Sequence, residues 1–232
     1  MIAKHKRALR FGMLVTLLLS TAIATAVDSF PGAEPDRRVL KIQEKVDKLF
    51  EKGDYERAIF IYREDLVPLG DKFAQYMVGY MYLTGKGVEQ DVPTAAAWYR
   101  IAAERGDPSF VQARDEVLPL LNEQQRTESD RLHYDLHRQY GDVALLVSMI
   151  GKDLEILRRF TMSTPVSQID FAQTFDQRKA AYIPVAERLE QRIELVMDLS
   201  ASREPVDPTE PEVVDSLYME VKRELNTYKA AK

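Results

Sequence analysis

From residue 38 onward, apolar side chains recur at steps of three and four, the spacing that lines one face of an α-helix. Val39, Ile42, Val46, Leu49 and Phe50 mark a first helix, and Gly53-Asp54-Tyr55 turns the chain into a second one carrying Ala58, Ile59, Ile61 and Tyr62. Ala74 to Gly106 reads as a helix, a glycine loop and another helix. Asp107-Pro108 opens a further helix with Phe110, Val111, Ala113, Val117 and Leu118. Asn122 is placed to cap the next, which runs through Leu132, Leu136 and Tyr140 to Gly141. Val143 to Phe160 adds one with Leu145, Leu146, Met149, Ile150, Leu154 and Leu157, in which Gly151 costs about 1 kcal/mol relative to alanine and is expected to kink or split the helix.

After a break at Ser163-Thr164-Pro165, Ile169 to Ser200 is predicted as a long helix bent at Pro184. Ala186, Leu189, Ile193 and Val196 form a coiled-coil-like seam between charged neighbours. Ala201 to Glu212 is a proline-rich acidic linker, and Val214, Leu217, Val221, Leu225 and Tyr228 stripe a terminal helix. The two stripes are expected to pack as an antiparallel hairpin; self-association, or docking on a partner, is the other use of such faces, because a short isolated helix is marginal in water.

Within Ala74 to Gly106 the small residues have specific tasks. Gly79 lets the second helix come close, Ala95, Ala102 and Ala103 offer it a small-residue face, and Trp98 is expected to fill the seam. Gly85 and Gly87 serve the tight connection, and Asp91 followed by Pro93 reads as a helix start.

These residues, with Val78, Tyr82, Val88, Tyr99 and Gly106, resemble a Sel1-like repeat over the 33 residues from Ala74. The preceding GDYERAI segment resembles the turn and second helix of a tetratricopeptide repeat, with Ala58 at the tightest crossing. The resemblance covers residues 38 to about 121 and implies an all-α fold, a short α/α solenoid of stacked hairpins that binds protein or peptide partners without catalysis. Solenoid units bury their faces only against neighbours, so the ends need caps. The organisation expected is 1–26 signal peptide, 27–37 disordered lead, 38–121 repeats with a capping helix, 122–162 closing helices, and 163–232 a helical extension with its linker near 201–212.

The start of the chain bears on its compartment. Lys4, Lys6, Arg7 and Arg10 precede an apolar run, Phe11 to Ile23, and Ala24-Thr25-Ala26 has the small-residue form of a cleavage site. The run is shorter than the roughly 20 residues of a spanning helix. The expectation is export to a bacterial periplasm with cleavage after Ala26; an uncleaved signal, the only membrane attachment expected, would make a membrane-anchored assembly factor. There is no cysteine, so no disulfide supports the fold. Loss of four basic residues with the signal leaves 28 basic against 37 acidic, a formal charge of −9. That acidity, without a basic run, disfavours nucleic acid as a ligand.

In the families resembled, the first helices of the repeats line a concave groove. With Val78, Gly79 and Tyr82 turned inward, Phe73, Tyr76, Tyr80 and Leu83 would face it, where aromatic rings supply contact area at low entropic cost. Gln43 and Asp47, with Leu40 and Phe50, would continue that face on the preceding helix. Neighbouring helices or the C-terminal tail covering the stripe is the competing arrangement. No cofactor or metal is expected. His133 and His137 stand four apart with Glu128 and Asp130 nearby, but H-E-x-x-H is absent and such pairs usually lie on a surface. They support only an alternative reading, a peptidoglycan or polysaccharide hydrolase, or its accessory factor, with a histidine-based metal site. No G-x-S-x-G motif, cysteine nucleophile or phosphate loop is present.

Overall fold

The structure is a computed structural model that describes Phe30, residues 37–162 and residues 171–230, with the side chains of 160–162 and 171–181 excepted. The expected signal peptide, most of the lead and the break at Ser163-Thr164-Pro165 lie outside the described residues. The rest is helical, without a strand among the described residues: α1 Arg37–Glu51, α2 Tyr55–Ile61, α3 Lys72–Thr84, α4 Val92–Ala102, α5 Pro108–Val117, α6 Glu123–Tyr140, α7 Asp142–Met162, α8 Phe171–Ser202 and α9 Glu210–Ala230. The fold is the expected all-α array of helical hairpins with a helical extension.

Helix starts follow from short polar side chains that satisfy the free N–H groups of a first turn. The Asp71 carboxylate accepts from Ala74 N at the head of α3, Asp91 from Thr94 N at α4, and Asp107 from Ser109 N and Phe110 N at α5. Asn122 and Gln125 exchange reciprocal bonds in a capping box on α6. Helix α2 widens at its end into a π turn, Tyr62–Leu66, and then a 3-10 turn, Val67–Leu69, where Pro68 has no N–H to continue the ladder.

Consecutive elements pack pairwise: α1 on α2, α3 on α4, α4 on both α5 and α6. They enclose one core that includes Val46, Ala58, Tyr62, Met77, Val78, Met81, Ala95, Tyr99 and Val117. Gly79 does permit the close approach of α4, but the ring against it is Tyr99, to which a Cβ at Gly79 would come within 3.0 Å. Trp98 instead stacks on Tyr140 of α6 at 5.7 Å, so it fills the seam to α6 rather than the seam inside the hairpin.

The loop from Gly85 to Gln90 is bolted to the preceding hairpin. Lys86 Nζ lies 5.0–5.1 Å from the ring centroids of Phe50, Tyr55 and Tyr80, one from each of α1, α2 and α3, and donates to Tyr80 Oη at 3.0 Å. Three ring faces around one ammonium form a cation–π cage. Gly87 is held beside Tyr55 in a left-handed conformation, φ 73°.

A second core lies behind the first. Helices α7, α8 and α9 pack mutually as a three-helix bundle. Leu146, Ile150 and Leu157 of α7 meet Leu189, Ile193 and Val196 of α8 and Val221 and Leu225 of α9. The two C-terminal stripes therefore face each other as expected, but α7, anticipated as a closing helix of the repeats, is the third wall between them. The stripes are spent inside the bundle, with Leu189, Ile193, Val196 and Val221 fully buried, so they are not free for self-association. Asp153 of α7 holds Arg188 and Arg192 of α8 at 2.9 and 2.7 Å, fixing the helix register. Neither Pro184 nor Gly151 ends its helix; Gly151 is exposed and α7 runs through it unbroken.

A side chain at Gly87 meets two penalties, the left-handed backbone and collision with the Tyr55 carbonyl of α2. Gly87→Ala is expected to destabilise the protein by about 2–5 kcal/mol, read as a lowered urea midpoint at unchanged slope.

Candidate functional site

Helix α3 was expected to turn one aromatic face to a groove. It is apolar almost all round, and a helix of that kind is buried from several sides. Tyr76 is 3% exposed, packed between Tyr99 of α4 and Phe110 of α5 at 5.3 Å each. Tyr80 lies under Phe50 and Lys86, and Leu83 is buried as well. Burial pushes the Tyr76 hydroxyl pKa up to about 12, with smaller contributions from Tyr80 and Glu116. Tyr76, Tyr80 and Leu83 are therefore core residues joining successive first helices of the array, not exposed anchors. Phe50 and Phe110 supply the cover; the C-terminal tail is not needed for it.

Three of the six expected residues keep an accessible surface. Phe73 is half-buried and stacks on Tyr76 at 6.3 Å, Gln43 is half-buried, and Asp47 is exposed. Gln43 Nε2 donates to Asp71 Oδ2 at 3.1 Å, which brings this side of α1 against the head of α3. Partial burial, then the neighbouring Glu51 and Asp71 carboxylates, raise the Asp47 pKa above the usual range. Leu40, one helical turn before Gln43, is 47% exposed. The accessible remainder of the expected face is thus an acidic and apolar strip on α1 and the start of α3.

Behind the array lies a charged joint that the sequence reading missed. Glu104 and Arg105, in the 3-10 turn that ends α4, meet Lys72 of α3, Asp142 of α7, and Arg203 and Glu210 on either side of the α8–α9 connection. Lys72 Nζ is 2.9 Å from Glu104 Oε2, 3.0 Å from Asp142 Oδ1, and donates to Ile101 O at 3.0 Å. Arg105 grips Asp142 with two bonds, 2.9 and 3.0 Å, and its Nη2 also reaches Gly70 O. Arg203 bonds Glu104, which further accepts from Asp142 N at 3.0 Å. Three cations face three carboxylates, so the buried charge is balanced. Burial alone would raise the Glu104 pKa, but His137, Lys72 and Arg203 outweigh it and hold the carboxyl well below its usual range. The signal available in the sequence was only the Ala-Ala-Glu-Arg-Gly helix end, which reads as an ordinary cap.

His133 and His137 are also placed here, and they are buried rather than on a surface: the face of α6 they share packs on α4. His137 Nε2 lies 3.2 Å from Glu104 Oε1. The rings of the two histidines are 5.8 Å apart, and among the described residues no group of three or more His, Cys, Asp or Glu is arranged to hold a metal. Burial, then Arg100 and His137, lowers the His133 pKa to about 3, against the opposing pull of Glu104 and Asp130.

Two consequences are measurable. Replacing Glu104 by Gln removes the carboxylate that Lys72 and Arg203 share and leaves three cations facing two carboxylates, and a loss of about 3–5 kcal/mol in denaturant unfolding is expected. His133 stays neutral when folded while its unfolded counterpart takes a proton below about pH 6.5. The stability it confers is therefore complete above that pH and falls by about 1.4 kcal/mol per pH unit on acidification toward pH 3. His133→Gln is expected to flatten the stability profile between pH 6.5 and 5, above the range in which Glu104 contributes.

Comparison with known proteins matches residues 72–107 to the Sel1 repeat family model. The hairpin of α3 and α4, from Lys72 to the Asp107 cap, is thus a Sel1 repeat. No curated protein and no solved structure matches the chain.

Proposed function

We propose that this chain, built around a Sel1 repeat, is an exported scaffold of the cell envelope that holds a protein or peptide partner and carries out no catalysis. Sel1 repeats are protein-interaction modules on a non-catalytic fold, and that is the observation on which the reading rests. The partner-binding face is the strip formed by Leu40, Gln43 and Asp47 on α1 and Phe73 on α3, with Tyr76, Tyr80 and Leu83 as the rigid floor behind it. A half-buried aromatic ring beside an exposed leucine, a side-chain amide and a carboxylate suits a segment with an apolar anchor and basic flanks.

Export rests on the basic start, the short apolar run and Ala24-Thr25-Ala26. Among the described residues, no helix is long and apolar enough to cross a membrane. Cleavage after Ala26 gives a chain beginning at Val27.

The test places a photo-activated cross-linking residue at 43, 47 or 73 in cells, with position 219, where Met219 is 68% exposed on α9, as the control. One common adduct from the first three positions and none from 219 is the expected result, in a periplasmic fraction whose N-terminal sequence starts at Val27. Equal labelling at 219, or no adduct from the strip, sinks the face; an N-terminus at Met1 sinks the cleavage.

A further inference from the structure

Phe30 belongs to no helix. Its neighbours Pro31, Gly32 and Pro35 give the segment no helical period, and the sequence reading put it in a disordered lead. Yet it is 4% exposed and joins the core of the α7–α9 bundle. A side chain outside any element reaches that burial only by inserting into a cavity made by others.

We infer that the joint between the repeat array and the bundle carries a receptor pocket for an aromatic side chain, and that the chain's own N-terminal segment is its ligand through Phe30. The walls come from both units. Gly70 closes the turn after α2 in a left-handed conformation, φ 79°, and its missing Cβ is what admits the ring: a Cβ there would lie 2.8 Å from Phe30 Cε2. The same point lies 3.4 Å from Arg105 Nη2 and 3.4 Å from Leu145 Cδ1, so guanidinium, glycine and leucine converge on one spot. The Arg105 guanidinium stands 4.5 Å from the ring centroid, in cation–π range.

The pocket does not depend on its occupant for its shape. Arg105 is held by its two bonds to Asp142 and by Gly70 O, and Leu145 sits on α7 within the bundle core. A site held by other contacts binds its ligand without first having to be ordered. The ligand class is a short peptide presenting one phenylalanine. Because the ring touches Gly70 and Arg105 of the array and belongs to the core of the bundle, its docking ties the two units together.

The experiment uses the mature chain, residues 27–232, its Phe30→Ala variant, and two labelled peptides of residues 27–36, one native and one carrying Phe30→Ala. The variant is expected to melt roughly 5–10 °C lower. It should bind the native peptide at least tenfold more tightly than the alanine peptide by fluorescence anisotropy, and regain melting temperature on doing so. The parent chain, with its pocket filled in cis, should bind the native peptide at least tenfold more weakly than the variant does. Should Phe30→Ala fail to fold, Phe30→Leu serves in its place, with the same preference for the native peptide expected. Equal melting of parent and variant, equal affinity for the two peptides, or equal binding to parent and variant would each overturn the inference.

Discussion

The Glu104 carboxylate is the point on which the arrangement of this protein turns. Two apolar cores stand on either side of it, and between them lies a knot of charge. Glu104 sits at the end of the Sel1 repeat and reaches Lys72 within the repeat, His137 on α6, and Arg203 where α8 ends. Asp142 completes it, taking Lys72 and Arg105 while opening α7. Apolar contacts between two units tolerate sliding, because they are weakly directional; short bonds among six clustered charges do not. The joint therefore sets a definite geometry between the array of hairpins and the bundle behind it.

Much of the fold was legible because it obeys local rules. Asp91, Asp107 and Asn122 cap the helices they were expected to cap, and the three- and four-residue stripes gave the helices themselves. Gly79 was read correctly as a close-approach position, but the residue that exploits it is Tyr99, with Trp98 turned one face further round toward α6. Adjacent aromatics on a helix point about 100° apart, and the choice of which faces inward depends on the neighbours each will meet. Nothing local to the hairpin contains that information.

The expected binding face shows the same limit. Period 3.6 says which residues share a side of α3 but not how many sides are covered. Tyr76 already meets Tyr99 and Tyr80 meets Lys86 within their own hairpin, but the rest of their cover, Phe110 and Phe50, arrives from the hairpins after and before it. The buried histidines were misread for a related reason: α6 is polar on average, so His133 and His137 looked solvated until α4 was laid along their face. Phe30 had no pattern to betray it, being one apolar residue among prolines and glycines. In each case the missing knowledge is a long-range contact, and composition carries no trace of it.

The pairing of Arg203 with Glu104 spans 99 residues of chain. By contrast, the partners inside the array are near in sequence: Gly79 meets Tyr99 twenty residues on, and Trp98 meets Tyr140 about forty on. Closing a longer loop costs more entropy, and contacts between nearby segments form sooner. A chain delivered N-terminus first can thus assemble its hairpins while the last helices are still to come. Within the ionic joint, Lys72 and Arg105 meet their carboxylates across short stretches of chain, and Arg203 is the clasp added last.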